Sequence, residues 1–346
     1  MLSFVSFLQN RLVRGLRLAL LAIIAAGISP ALAQAAESAF PTRAITLVVP
    51  FPAGSGTDAI TRVVATELSG VLGQPVIVEN KAGGNATIGA QYVARAKPDG
   101  YTLLVATNTA LSAAPWLMKS VPYDPIKDFT PVARGGNLPF MLVINPKLPV
   151  QSVQDLVALA KKNPGKMNYA SGNSTGIVAG ATLGSRAGID VVHVPYKGTP
   201  QAMTDVIGGQ VDFMFTDFTS GAPFVQSGQM RALSVSSAAR SALAPDLSSM
   251  LEGGVKDFDL VSWNGYVGPA GMPADVVAKL NAAFVQVLSN LMLKQGSPVS
   301  ALTHSVVLSP SLQNSWPINW FCGVISSKAL AFSLNNVPRS HRLPIC

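Results

Sequence analysis

From Ile45 onward the chain alternates short apolar runs with stretches whose apolar residues recur at helical spacing. The runs predict strands over 45–51, 75–80 and 101–107, and the segments between them predict helices over 58–72 and 86–96. Each connection is long enough for a right-handed crossover, so these strands are expected to be parallel, a βαβαβ lobe. The pattern then repeats, with strands expected over 140–145, 168–171, 191–195, 211–216 and 231–236. Ser152 and Asp155 have capping-box spacing ahead of a helix over 153–162, and Thr199-Pro200 predicts an N-cap followed by a proline at the first helical position. A strand-like segment at 263–270 precedes Pro273 and an amphipathic helix over 274–288. The fold class read from this order is α/β: two lobes, hinged around a cleft. Lobe 1 is expected over 37–137 with 262–288, and lobe 2 over 138–261.

The two ends depart from the alternation. Arg11, Arg14 and Arg17 precede an apolar run over 18–28 and a small-residue site at Ala31-Leu32-Ala33, so residues 1–36 read as a secretory signal. The run is short for a bilayer span, with a membrane anchor as the alternative. The mature chain is therefore expected outside the cytoplasm, in the periplasm. From Ser289 the last 58 residues contain no Asp or Glu, are rich in Ser, Pro and Asn, and hold both cysteines, Cys322 and Cys346. At an ordinary acidic content of about 12%, such a stretch arises by chance on the order of once in a thousand. Residues 289–346 are expected to be a poorly ordered tail foreign to the preceding design, the product of a shifted reading frame, with a genuine irregular extension as the alternative.

Charge narrows the function. The formal net charge is +8, but between Glu37 and Leu288 there are 18 Lys and Arg against 17 Asp and Glu. A nucleic-acid surface needs clustered excess cation, which this distribution does not supply. The cysteine spacing has no C-x-x-C or His-rich context, so neither a metal site nor a cofactor is expected.

Three loops share one construction, in which a strand ends, small polar residues follow and a helix begins. They lie at 52–58 (Ala53, Gly54, Ser55, Thr57), at 80–87 (Gly84, Asn85, Thr87) and at 171–176 (Ser171, Gly172, Ser174, Thr175). Such loops aim backbone N–H groups and helix N-termini at a shared space, a seat for an anion. The first loop has no Lys or Arg, so dipoles and hydroxyls are expected to hold the anion there. Phe51 is expected as a wall of the pocket, whereas Trp263 reads as core. Tyr196 and Lys197 end a strand before a capped helix, and Asp217 ends the next; Lys197 suits a ligand carboxylate, and Asp217 a ligand amine or hydroxyl. For both, a solvated lysine and a helix-capping aspartate are the plainer readings. Gly172-Asn173-Ser174-Thr175-Gly176 also satisfies G-x-S-x-G, which makes a serine hydrolase using Ser174 the alternative function. Its triad lacks a convincing base: His193 lies within an expected strand, and His304 and His341 lie in the tail.

The runs FPTRAITLVVPFPAGSGTDAITRVVA, NKAGGNATIGAQYVARAKPDGYTLLVAT, YASGNSTG and HVPYKGTPQAMTDVIGGQVDFMFTD resemble the substrate-binding components of tripartite tricarboxylate transporters, the Bug or TctC-like family. The resemblance covers about 40–288. It implies a type II periplasmic binding protein-like fold and a monomer without catalysis. It further implies a small carboxylate ligand (a dicarboxylate, aromatic acid or amino acid) passed to membrane permease subunits. It also adds Thr107, after the third strand, to the ligand-binding residues. The family ends in a charged helical segment where this chain has its anomalous tail, so a product damaged at its C-terminus is a further alternative.

Overall fold

The structure is a computed structural model that describes residues 40–293. The expected signal segment and the expected tail beyond Leu293 lie outside the described residues. Strands β1 (Ile45–Val49), β2 (Val76–Asn80) and β3 (Thr102–Thr107) pair in parallel around β1. Ile45, Leu47, Val48 and Val49 are all buried, as befits a strand covered on both faces. Between the strands run helix α1 (Gly56–Leu72) and helix α2 (Thr87–Ala94). Helix α1 is capped by Ser55, whose Oγ accepts from Asp58 N at 3.3 Å, and it stops at Gly73, where φ is 67°.

After β3 a π-helical turn (Thr109–Ala113) runs into the short helix α3 (Ala114–Leu117), and then comes the long strand β4 (Phe129–Ile144). The first eleven residues of β4 were not expected as strand, because Pro131, Gly135, Gly136 and Pro139 read as breakers. Register shifts between Pro131 and Ala133 and between Arg134 and Gly136 absorb them. Helix α4 (Val153–Lys162) has Ser152 as its N-cap, accepting from Asp155 N at 3.1 Å. There follow β5 (Asn168–Ser171), α5 (Ser174–Ala187), β6 (Val192–Pro195), α6 (Thr199–Gly208), β7 (Phe213–Asp217), α7 (Phe218–Gln226) and β8 (Arg231–Val235). In α6 the N-cap is Gly198, one residue before the expected Thr199, and it has no side-chain cap. A Cβ at Gly198 would stand 2.5 Å from Pro52 Cγ, so close approach rather than capping chemistry sets that residue.

Strand β9 (Val261–Pro269) returns antiparallel to β3, and helix α8 (Ala274–Leu293) packs over β4 and α1. Phe284 of α8 stacks on Tyr266 with ring centroids 4.1 Å apart. The change of composition at Ser289 falls inside α8. Ser289 and Asn290 lie on its exposed face, while Leu291 extends the buried stripe of Val287 and Leu288.

Among the described residues the sheet has the order β2-β1-β3-β9-β4-β7-β5-β6, with β8 also on β4. Residues 129–139 of β4 pair with β9, whereas residues 140–144 pair with β7 and β8. The chain thus crosses from one half-sheet to the other at Pro139-Phe140 and returns at Leu260-Val261. Ser236, fully buried, ties the two crossings together. Its N donates to Phe140 O (2.9 Å), and its C=O accepts from Leu260 N (2.8 Å). Its Oγ accepts from Phe140 N (3.3 Å) and donates to Leu260 O (2.6 Å).

Removing that hydroxyl strands a buried carbonyl, at a cost of about 1–3 kcal/mol. Ser236→Ala is therefore expected to lower the urea midpoint by that free energy with an unchanged m-value, and a midpoint equal to the wild type would show that the crossings are held by the backbone alone.

Candidate ligand site

The first loop is organised by a carboxylate. Asp58, in the first turn of α1, accepts from Gly54 N (3.0 Å) and Asn80 Nδ2 (2.8 Å) and pairs with Arg62 Nε (3.0 Å). Burial opposes its ionisation, yet Arg62, the Gly54 N–H and Asn80 together hold its carboxyl below the ordinary value. The N-terminus of α1 therefore carries its own anion.

Between the half-sheets lies a cavity of about 20 Å³, room for roughly one water. Phe51, Ser55, Gly56 and Thr57 line it from the first loop, and Thr107 and Asn264 line it from the facing ends of β3 and β9. Thr107 and Asn264 are direct cross-strand partners, so their side chains share one face of the sheet. Both are buried, and neither Thr107 Oγ1 nor either amide atom of Asn264 has a hydrogen-bond partner. The β4 bulge makes space for the amide: a Cβ at Gly135 would lie 2.1 Å from Asn264 Oδ1.

The opposite wall is supplied by Asn173, Thr199 and Asp217. Asn173 caps α5, its Oδ1 accepting from Gly176 N at 3.0 Å, and Thr199 opens α6. These two helix N-termini converge: a Cβ at Gly172 would sit 2.2 Å from Thr199 N, and neither helix has an acidic residue in its first turn. Asp217 caps α7, accepting from Ser220 N (2.8 Å) and Ser220 Oγ (2.9 Å). It reaches across to α1, where a Cβ at Gly56 would meet its Oδ1 at 2.0 Å. Desolvation pushes its carboxyl above the usual range, more than its hydrogen bonds pull it down.

Two side-chain bonds latch the halves. Asn108 Nδ2 donates to Thr175 Oγ1, and Thr109 Oγ1 lies against Ser174 Oγ, both at 2.8 Å. The π-helical turn after β3 presents Asn108 and Thr109 to α5, and Ser262 Oγ holds Asn108 Oδ1 at 2.5 Å.

Of the expected residues, Phe51, Ser55, Thr57, Thr107 and Asp217 line the cavity. Ser174 and Thr175 make the latch. Gly172 abuts the Gly198-Thr199 peptide. Ala53, Gly54, Gly84 and Asn85 are exposed away from the lining, and Thr87 donates to Gly84 O at 2.7 Å. Ser171 Oγ pairs with His193 Nε2 at 2.6 Å. Tyr196 OH donates to Asp205 at 2.5 Å, and Lys197 is exposed. Asn108, Thr109 and Asn264 were not anticipated, and Trp263, read as core, lines the cavity while remaining buried. The signal for Asn264 was an amide side chain beside Trp263 in a strand of mostly apolar residues.

The sequence profile of the TctC family, the tripartite tricarboxylate transporter family receptor, matches residues 60–295. This chain belongs to that family. A UPF0065 protein of Bordetella bronchiseptica is 42% identical over 271 residues, covering 78% of this chain and 80% of the relative. The solved structure of an R. palustris protein with adipate has a TM-score of 0.78 at 29% identity, covering 85% of this chain and 98% of that one. The periplasmic binding protein BugD has a TM-score of 0.76 at 32% identity, with 85% and 98% covered. The fold is thus the two-lobed periplasmic binding protein fold, and the TctC family consists of solute-binding proteins, not enzymes. Among the described residues the only histidine, His193, is bonded to Ser171 and stacked on Tyr169 (4.9 Å) rather than directed at Ser174, which speaks against the hydrolase alternative.

Two outcomes follow for the TctC-family cleft. Gly56→Ala places a methyl against Asp217 without demanding an unusual backbone, so the variant is expected to fold with near wild-type ellipticity but to lose ligand-induced thermal stabilisation; retention of the full shift would disprove the cross-cleft contact. For Asp217 the folded state binds its proton more tightly than the unfolded state, so stability falls as pH rises from about 4, the unfolded value, through the raised folded value. Asn caps a helix as well as Asp does. Asp217→Asn is therefore expected to have the higher Tm at pH 7, with the difference shrinking towards pH 4 in a pH series of melts.

Proposed function

We propose that this chain is a periplasmic receptor that captures a small carboxylate between its lobes and hands it to the membrane permease subunits of a tripartite tricarboxylate transporter. The observation that carries the reading is that Thr107 and Asn264, whose Oγ1 and amide atoms are buried and unpartnered, both line a cavity walled by helix N-termini. Unpartnered buried polar atoms cost about 1–3 kcal/mol each, and a ligand that bonds them recovers that cost. The family's description as a transporter receptor and the adipate-bound structure support a carboxylate as that ligand.

The cavity is too small for such a molecule as it stands, so binding requires the lobes to part. The two neutral latch bonds add only about 0.5–1.5 kcal/mol each to the resistance to opening. Closure over a ligand then stabilises the protein by mass action, about 2.7 kcal/mol at a hundred times Kd. For a domain of this size that is roughly 5–11 °C in Tm. A melting-temperature screen of dicarboxylates, aromatic acids and amino acids is expected to return a shift of that order for at least one class. A folded sample that shifts with none of them would sink the reading.

A further inference from the structure

We propose that the protein has a second ligand site, separate from the cleft, that takes an unbranched medium-chain monocarboxylate: the alkyl chain lies in an apolar groove along α7 and the carboxylate meets Arg231. The groove has a volume of about 480 Å³, against about 20 Å³ for the cavity between the half-sheets, and falls within the size range of small-molecule sites. Phe218, Ala222 and Val225 line it at the i, i+4, i+7 spacing of one face of α7. Leu243 and Leu247, from the loop after β8, and the buried Met141 of β4 also line it. Apolar side chains from three separate segments thus meet in one trough, unlike single apolar residues scattered on a surface. Leu243 is 37% exposed, so apolar surface remains in contact with water that a bound chain would cover.

Charge decides the class of ligand. Arg231 is the sole charged residue lining the groove, and no Asp or Glu lines it. It stands at the first position of β8, paired with Ile144, and its Nη1 donates to Val150 O at 2.8 Å. A guanidinium has five N–H donors, so four remain, and among the described residues no carboxylate forms an ion pair with Arg231. The bond to Val150 restrains the side chain, so an incoming carboxylate meets a donor fork already held in place. One carboxylate satisfies that cation. The second carboxylate of a diacid would lie against apolar walls without a partner, and a neutral hydrocarbon would leave the arginine unpaired. An acid with one charged head and an apolar body matches both features.

The groove and the cleft are back to back rather than continuous. Phe140 lines the cleft cavity and Met141 lines the groove, as successive residues of a strand face opposite sides of the sheet. Asp217, which ends β7, lines the cleft cavity, and Phe218, which opens α7, lines the groove. No residue lines both, so a ligand can occupy the groove without parting the half-sheets.

The test is calorimetric titration of the purified protein with hexanoate, octanoate and decanoate, each below its micellar range, and with 1-octanol as the uncharged match to octanoate. Affinity is expected to rise about fourfold per added methylene. Octanoate is expected to bind about tenfold tighter than octanol, and Arg231→Gln to cut that preference to about threefold or less while keeping the chain-length trend. Ala222→Trp fills the groove without touching the cleft lining, and is expected to abolish binding of all four compounds. Octanoate that binds no tighter than octanol, affinity independent of chain length, an undiminished preference in Arg231→Gln, or full binding to Ala222→Trp each overturns the inference, the last by placing the acid outside the groove. A wild type that binds none of the compounds also overturns it; if that protein dimerises and Ala222→Trp does not, the occupant is a second copy of the chain. None of these outcomes disturbs the carboxylate-receptor reading, which stands or falls on its own melting screen. The wild-type comparisons hold whether or not the variants fold.

Discussion

One strand belongs to both halves of the sheet. Because β4 carries the first half-sheet on residues 129–139 and the second on residues 140–144, neither half can turn without bending the chain at Pro139-Phe140 and at Leu260-Val261. Ser236 bonds to both points through backbone and hydroxyl, so the bending is confined to a single stitched locus. The cleft lies beside that locus, lined by Leu138 and Phe140 just before and after the first crossing. Rotation about the two peptide crossings would separate the walls against the two latch bonds and the close approaches of Gly56 to Asp217 and of Gly198 to Pro52.

The latch shows how hydroxyl-rich loops serve closure. Ser174 and Thr175, expected to touch ligand, bond to Thr109 and Asn108 in this structure. Neutral hydroxyl and amide bonds suit that task because each is worth little net of its water-bonded alternative. An ion pair in the same place, desolvated on closing, would have made the equilibrium steeper and more dependent on salt.

Strands β1 to β3, β5 and β6 and helices α1, α4 and α8 were legible from apolar periodicity, since their burial is one-sided or complete in the way the pattern requires. The start of β4 was not, because its prolines and glycines act as bulges only once β9 lies beside them. Helix α7 was not anticipated either, since Gly221 and Pro223 interrupt its pattern and its N-cap Asp217 gave the main clue. At the site, the sequence located the loops but not their electrostatics. Nothing local to the first loop reveals that Asp217 arrives beside Gly56, nor that Asp58 folds back onto Gly54 N and Asn80 at the start of α1. Asn264 escaped for a similar reason: an asparagine next to a buried tryptophan reads as tolerated core until the fold shows both of its amide atoms unpartnered.

The contacts across the cleft at Gly56 and Gly198 are made by bare backbone meeting Asp217 and Pro52. The side chains with unpartnered buried atoms, Thr107 and Asn264, belong to β3 and β9 and not to that seam. On the receptor reading proposed above, closure and discrimination are encoded at separate positions. A lineage built this way can exchange its cargo by substitutions at the back of the cleft while inheriting the same jaw unaltered, so diversification of the solute need not relearn how to shut.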